Sequence, residues 1–501
     1  MRRWPHRPFL QKGVRLRRRF LHHAKCGGEK MSGNRGLFFR TLLLGASAAV
    51  SKAATFLLMP FYTAALSPED FGASDLVVSA AVLLMPFVTL HAGPTLFRFF
   101  AGAREEEKRA VLSTAAVMAI SGSLLFLLLL PLLRFWPVLR AYRYDLLFYV
   151  WSASLHSVLT QYLRATGGYT VFALLQPLTA LCSLSLQMLF IVVGGLGARG
   201  YLLGIILSDL AASVFLLFLL RPWRLFAWRA VSRRMLGKML SYGLPLIPGA
   251  AFWWLMSLSD RYFILHYHSL EETGVYAAAA RIPALFTFVL GVFLEAWQYS
   301  ALQVGEGEAR SAHFARIYRM LLPVSVFGAA ALLVLSAPLV TVLFAPDYRG
   351  AVQFVPFLVL AALFSSLSGF FGTAYQSALR CVPVFFSSML GSGVNLLLNF
   401  LLIPKLGATG AALATLIAYF SVFVCRAHHT ATFLRFSRYF KKGAVSLLLL
   451  LLSAGAVSMG ALRAGVLLAA LSILPFWCEG RAVFEVLVKK WRFLLKNYQK
   501  Y

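Results

Sequence analysis

The chain has 501 residues, of which 60% are hydrophobic and 13% charged. No soluble domain of that length encloses so much apolar surface, and the apolar runs repeatedly reach the roughly 20 residues that cross a bilayer. The composition therefore excludes a soluble protein and points to a polytopic, all-α membrane protein. A formal net charge of +30 would suggest nucleic acid in a soluble chain. Here the bases sit in short segments between apolar runs, without aromatic stacking platforms, so no nucleic-acid partner is expected and the segments read as cytoplasmic loops beside anionic headgroups.

Residues 1–36 form a basic segment with Glu29 as its one acid; without an apolar core before Arg40 it is no secretory signal and reads as disordered and cytoplasmic. An organellar transit peptide is the alternative that its Arg-rich composition leaves open. Met31, followed by SGNRGLFFRTLL, reads as an ordinary start before the first membrane helix. About 14 spans are expected, at 38–64, 73–101, 111–135, 144–165, 170–195, 200–221, 240–265, 275–303, 318–344, 351–379, 382–404, 409–427, 442–462 and 465–488. With the N-terminus inside, the loops assigned to the cytoplasm carry nineteen bases and the opposite loops seven. That asymmetry supports both termini in the cytoplasm, in agreement with a basic tail at 489–501. The weak point is the third connection, RFWPVLRAYRYD, with Arg134, Arg140 and Arg143 on the wrong side.

Two short motifs recur in order. SPEDFG at Ser67 to Gly72 returns as SLEETG at Ser269 to Gly274, and LGARG at Leu196 to Gly200 returns as LGATG at Leu406 to Gly410. Repeats at nearly one offset predict a duplicated six-helix half: a bundle over 37–221, a basic linker at 222–239, a second bundle over 240–427, and helices 13 and 14 within 428–488. An even number of spans separates the copies, so both halves share one orientation, with a substrate site expected between them and one half rocking against the other. Prolines within many spans, among them Pro86, Pro248 and Pro338, suit helices that bend.

Charges inside apolar runs cost about 2.5–3.5 kcal/mol each on insertion scales, so they mark a water-filled path or a partner. The hairpin from Tyr242 to Phe286 carries three, Asp260, Arg261 and Arg281. Asp260 and Arg281 stand at similar depth and could pair as a structural salt bridge, whereas Arg261 points about 100° away from Asp260, so one partner cannot serve both. Lys52 lies mid-helix, where snorkelling is hardest, and Arg98 sits near a helix end. Asp75 reads as a solvated end residue, and His91 as a packing histidine. Glu295 and Asp209 are lone acids in apolar surroundings, which disfavour the ionised form and make them candidates for proton uptake, alongside hydrogen-bonded structural roles. Bases in expected lumen positions (Lys52, Arg98, Arg261 and Arg281, with Arg164 and Arg380 as further candidates) outnumber acids, so the cavity should favour an anion. The five cysteines show no ligand spacing, and neither a metal nor a cofactor is implied. There is no Walker loop, GxSxG, HExxH or large polar loop to support catalysis.

Four stretches carry a resemblance: PFYTAALSPEDFGASDLVVSAAVLL (Pro60 to Leu84), EEEKRAVLSTA (Glu105 to Ala115), SYGLPLIPGAAFWWLMSLSDRYFI (Ser241 to Ile264) and LNFLLIPKLGATGAALATLIAYF (Leu398 to Phe420). In that order they resemble bacterial lipid-linked oligosaccharide flippases, the polysaccharide-transport branch of the multidrug/oligosaccharidyl-lipid/polysaccharide exporter superfamily, over roughly Leu37 to Phe440. The resemblance implies two pseudo-symmetric six-helix bundles in a V plus two C-terminal helices, in the bacterial inner membrane. It implies a flippase, not an enzyme, that moves an undecaprenyl-diphosphate-linked oligosaccharide outward by alternating access, with proton antiport in some relatives. Membrane lipids, a polysaccharide polymerase and assembly proteins are the implied partners. Lys52, Arg98, Arg261 and Arg281 would then contact phosphate or acidic sugar, and Asp260 or Glu295 would be the coupling acid. Glu295 departs from the uncharged residue more usual in relatives. A multidrug or organic cation antiporter, a peptidoglycan lipid-precursor flippase and a non-transport assembly subunit remain as alternatives; the first is disfavoured because organic cations need carboxylates.

Overall fold

The computed structural model describes residues 34–303, 308–378, 382–434 and 437–476. The extension before residue 34, Arg380, the cysteines at 26, 381 and 478, the far end of helix 14 and the basic tail lie outside the described residues. No strand occurs among the residues described. Leu57, Leu128, Val193, Phe218 and Val342 are at least two-thirds exposed, as only a lipid-facing surface tolerates in such numbers. The chain is a multi-pass membrane protein. Nine helical runs among the described residues are long and apolar enough to cross a bilayer, with two shorter apolar helices at 443–458 and 462–476; they do not establish the count of 14.

In chain order the elements are α1 (Asn34–Leu57), α2 (Met59–Ala65), α3 (Pro68–Val88), α4 (Ala92–Ala101), α5 (Glu105–Leu129), α6 (Pro137–Ala141), α7 (Arg143–Ala165), α8 (Tyr169–Met188) and α9 (Gly197–Leu220). There follow α10 (Arg233–Gly243), α11 (Ile247–Leu258), α12 (Asp260–Tyr267), α13 (Leu270–Ala279), α14 (Arg281–Gln303), α15 (Glu308–Leu343), α16 (Val355–Ser377), α17 (Val382–Ala431, two helical arms that meet at the non-helical Gly407), α18 (Ser437–Ser458) and α19 (Leu462–Ile473). Several expected spans are broken. Leu90 and His91 adopt left-handed φ of 48° and 56° between α3 and α4, where Pro86 and Pro94 remove backbone donors. The seventh span breaks at a 3-10 turn over Leu244–Leu246, beside Pro245 and Pro248, and again before Asp260.

The polypeptide forms two compact units, one of residues up to 55 with 80–248, the other of 56–79 with 249 onward. In the first unit, Leu96, Phe100, Val111, Leu112, Met118, Tyr162 and Met239 bury together, and Phe100 meets the Tyr162 ring edge-to-face at 5.1 Å. The second unit is built round α16, most of whose residues are buried. Trp297 stacks on Phe370 of α16 at 5.3 Å and donates its indole N–H to Thr373 at 2.8 Å. Tyr318 and Phe423 both pack against Phe371, at 5.5 and 5.9 Å.

The repeated motifs are built alike. Gly197 of LGARG and Gly407 of LGATG both take positive φ, 51° and 56°, a region an L-residue side chain disfavours. Three residues on, a Cβ at Gly200 would stand 3.0 Å from the Phe190 carbonyl oxygen, and one at Gly410 2.6 Å from that of Leu402. Each motif thus reverses the chain on its first glycine and packs the new helix against the old on its second. Gly407 also leaves room for the Glu272 carboxylate, which accepts the Ala408 N–H at 2.6 Å. Gly407→Ala should therefore cost about 1–3 kcal/mol from its backbone alone, since φ 56° with ψ −140° is a conformation nearly reserved to glycine, more with Glu272 displaced, and a thermal unfolding curve of the purified variant checks it.

Candidate functional site

In the second unit the start of α3 lies against α13, and the repeated motifs are the reason. Ser67 and Ser269 each accept the backbone N–H three residues on, from Asp70 at 3.1 Å and Glu272 at 3.0 Å, so each caps its helix. Gly72 and Gly274 then bring the two backbones together: a Cβ at Gly72 would stand 2.9 Å from the Gly274 nitrogen, and one at Gly274 would overlap the Pro68 carbonyl. One turn past Gly72, Asp75 reaches the charges of the hairpin.

Asp75, expected to be solvated, is buried to 7% exposure. Its Oδ2 accepts the Arg261 Nε–H and its Oδ1 the Arg281 Nη2–H at 3.0 Å. Arg261 donates from Nη1 to the Ser257 carbonyl at 3.1 Å and to Asp260 Oδ1 at 3.5 Å. Asp260 is held from its other oxygen by the Tyr276 hydroxyl and by Thr415 Oγ1 at 3.2 Å. The order Arg281, Asp75, Arg261, Asp260 alternates in sign and sums to zero, the arrangement in which burial of four charges is tolerable. Arg281 and Asp260 do share a network, with Asp75 and Arg261 standing between them.

Exposure differs along the chain of charges. The side chains of Asp75, Arg261 and Asp260 are 8%, 7% and 2% exposed, that of Arg281 33%. The guanidinium of Arg281 packs over the Phe71 ring at 5.8 Å. At the other end Asn395 donates to Thr415 at 3.5 Å and Asn399 to Asn395 at 3.1 Å, while Asn399 Oδ1 is buried without a hydrogen-bond partner. A carboxylate among hydroxyl and amide oxygens is suited to a proton or a small hard cation. Among the described residues no group of three or more His, Cys, Asp or Glu could hold a metal.

The other predicted residues lie elsewhere. Lys52 on α1, Arg98 on α4 and Asp209 on α9 belong to the first unit; the first two are exposed and Asp209 is half-buried. Glu295 is exposed on α14, about 21 Å along the helix from Arg281. His91 sits in the break between α3 and α4. Arg164 packs its guanidinium over Phe97 and Phe172, at 5.0 and 5.3 Å.

Sequence reasoning also missed Arg426, near the end of the span expected at 409–427. It is 9% exposed within α17 and donates to Ser387 Oγ at 2.9 Å, Ser388 Oγ at 3.0 Å and the Ser368 carbonyl at 3.1 Å. The available signal was spacing: Val422, Arg426 and Thr430, four residues apart, share one buried face. No comparable signal marked Asp75.

A family model described as polysaccharide biosynthesis protein matches residues 40–297, which takes in all four charged residues of the network. The chain belongs to the polysaccharide biosynthesis protein family. A curated relative of the chain is an uncharacterized membrane protein of Methanocaldococcus jannaschii, 24% identical over 199 residues, which are 38% of this chain and 39% of that protein. The chain thus spans about two-fifths of the length of the curated relative it matches. Among solved structures, this family member is similar to the lipid II flippase MurJ in an inward closed conformation: TM-score 0.67, 14% identity, 90% of this chain and 100% of that one. It is also similar to an inward-facing multidrug resistance MATE transporter of the MOP superfamily (TM-score 0.59, 16% identity, 78% and 98% covered). A third is a MOP superfamily transporter from Pyrococcus furiosus, described as having a binding pocket of reverse polarity (TM-score 0.52, 15% identity, 79% and 96% covered). At these identities the likeness is one of fold, that of the MOP flippases and transporters.

Proposed function

We propose that the protein carries an undecaprenyl-diphosphate-linked oligosaccharide from the inner to the outer leaflet of the bacterial inner membrane, by alternating access and with both termini cytoplasmic. The observation that carries this reading is the coincidence of a polysaccharide-biosynthesis family with a lipid-flippase fold over 90% of the chain. Such a substrate needs a hydrated cationic surface for its diphosphate, while its tail stays in lipid. Lys52, Arg98 and Arg281 are the proposed anion contacts. Arg261, enclosed by its carboxylates, acts by fixing Asp75 and so the guanidinium of Arg281. Asp260 is the proposed coupling acid, with Glu295 and Asp209 as the other candidates.

In Arg281→Ala that still reaches the membrane, surface glycan should fall about tenfold or more, the loss of one charge-assisted contact worth roughly 1.5–3 kcal/mol. Lipid-linked repeat should accumulate on the cytoplasmic side, and normal glycan would remove Arg281 from the site. For coupling, flipping in vesicles should respond to an imposed ion gradient and lose the response in Asp260→Asn. A response unchanged in that variant and in Glu295→Gln and Asp209→Asn takes all three acids out of the mechanism. The likeness to a lipid II flippase favours a second reading, transport of a peptidoglycan lipid precursor. Complementation separates the two: rescue of a strain lacking its oligosaccharide flippase supports the first, rescue only of one lacking its lipid II flippase the second.

A further inference from the structure

The third connection, whose bases oppose the charge asymmetry of the other loops, folds into something specific. Within the first unit, Arg134, Arg140, Arg143 and Arg199 converge with Tyr144 on a cavity of about 560 Å³. These are four of the seven bases counted on the non-cytoplasmic side. Buried neighbours anchor the backbone that presents them: Leu139 inside α6, Leu146 at the start of α7 and Ala198 at the start of α9. The guanidiniums lean on aromatic faces, Arg134 on Phe135 at 5.1 Å, Arg143 on Tyr144 at 4.7 Å and Arg199 on Tyr142 at 5.9 Å. Among the described residues they meet one carboxylate, Asp145, with Oδ2 4.0 Å from Arg199 Nε. Four like charges against one opposite charge repel one another and concentrate anions at the cavity mouth.

The cavity is far larger than a single halide needs, and arginine presents a planar fork that matches phosphate oxygens. Beside it Leu132, Phe135 and Trp136 are more than half exposed, at 53%, 65% and 54%. Aromatic and apolar side chains next to arginines are the chemistry of the membrane surface, where a ligand has a charged head and an apolar tail. We propose that this cavity binds lipid-borne phosphate. The head is either that of an anionic membrane phospholipid or the diphosphate of a polyprenyl carrier; the second source rests on the transport reading above, the first does not.

The test uses the full-length protein in neutral detergent, with ligand affinity read from saturable thermal stabilisation. Phosphatidylglycerol, phosphatidylcholine, undecaprenyl diphosphate and inorganic pyrophosphate are titrated separately. Phosphatidylglycerol or undecaprenyl diphosphate should saturate, with phosphatidylcholine inert and pyrophosphate markedly weaker. Arg140→Gln/Arg143→Gln should weaken the binding about tenfold or more. Saturation by phosphatidylglycerol assigns membrane phospholipid, even in a protein that rescues neither flippase-deficient strain; saturation by undecaprenyl diphosphate alone assigns the carrier. Unchanged affinity in the variant, equal binding of phosphatidylcholine, or pyrophosphate as tight as the lipids would overturn the proposal. If the double variant aggregates, Arg134→Gln and Arg199→Gln, each an exposed side chain, should separately weaken binding several-fold, and no effect in either overturns it as well.

Discussion

Asp75→Ala is expected to lower the stability of the protein by about 3–5 kcal/mol, the usual consequence of stripping a buried ion pair of one partner. The loss is large because Asp75 serves two arginines: Arg261, at 7% side-chain exposure, would keep only Asp260 as counter-charge, and Arg281 would lose the contact that orients it. Thermal unfolding of purified protein, with membrane yield alongside, measures the change. Asp75→Ala/Arg281→Ala should recover part of the loss, since the second substitution removes one of the two cations that Asp75 compensates. The two arginines should also part company. Arg261→Ala should unfold early, while Arg281→Ala, a third exposed, should unfold near wild type and fail in transport. A wild-type melting curve for Asp75→Ala would mean that the carboxylate does not hold the network together.

Gly274→Ala should be nearly as damaging, although it adds one methyl group. That methyl would overlap the Pro68 carbonyl oxygen, which belongs to backbone and cannot swing aside. Overpacking of this kind costs about 1–3 kcal/mol, and here it would lever α3, with Asp75, away from Arg261 and Arg281. Stability and surface glycan should fall together. The control is Gly291→Ala on the next helix, where nothing lies within 4 Å of the added carbon. It should be neutral or stabilise by roughly 0.5–1 kcal/mol through helix propensity. Equal behaviour of the two variants would show that the helix crossing is not as close as described.

What the sequence determined by itself was everything that depends on runs of neighbours. Apolar runs of bilayer length established a helical membrane protein, and loop charge predicted an orientation. The motif pairs marked structurally matched turns: serine caps in SPEDFG and SLEETG, and a left-handed glycine followed by a close-packing glycine in LGARG and LGATG. Asp260, Arg261 and Arg281 were recognisable as costly residues needing partners.

The partners were decided only by the tertiary structure. Asp75 precedes Arg261 by 186 positions and Arg281 by 206. No local pattern separates a carboxylate near a helix end that faces water from one that faces two guanidiniums. The difference is made by the crossing of α3 and α13 at Gly72 and Gly274, which brings remote charges within hydrogen-bonding distance. Arg426 and the arginine cavity repeat the lesson: spacing along a chain fixes which side chains share a helix face, but burial and charge compensation are set by whatever other segment packs there, and only the folded arrangement specifies that.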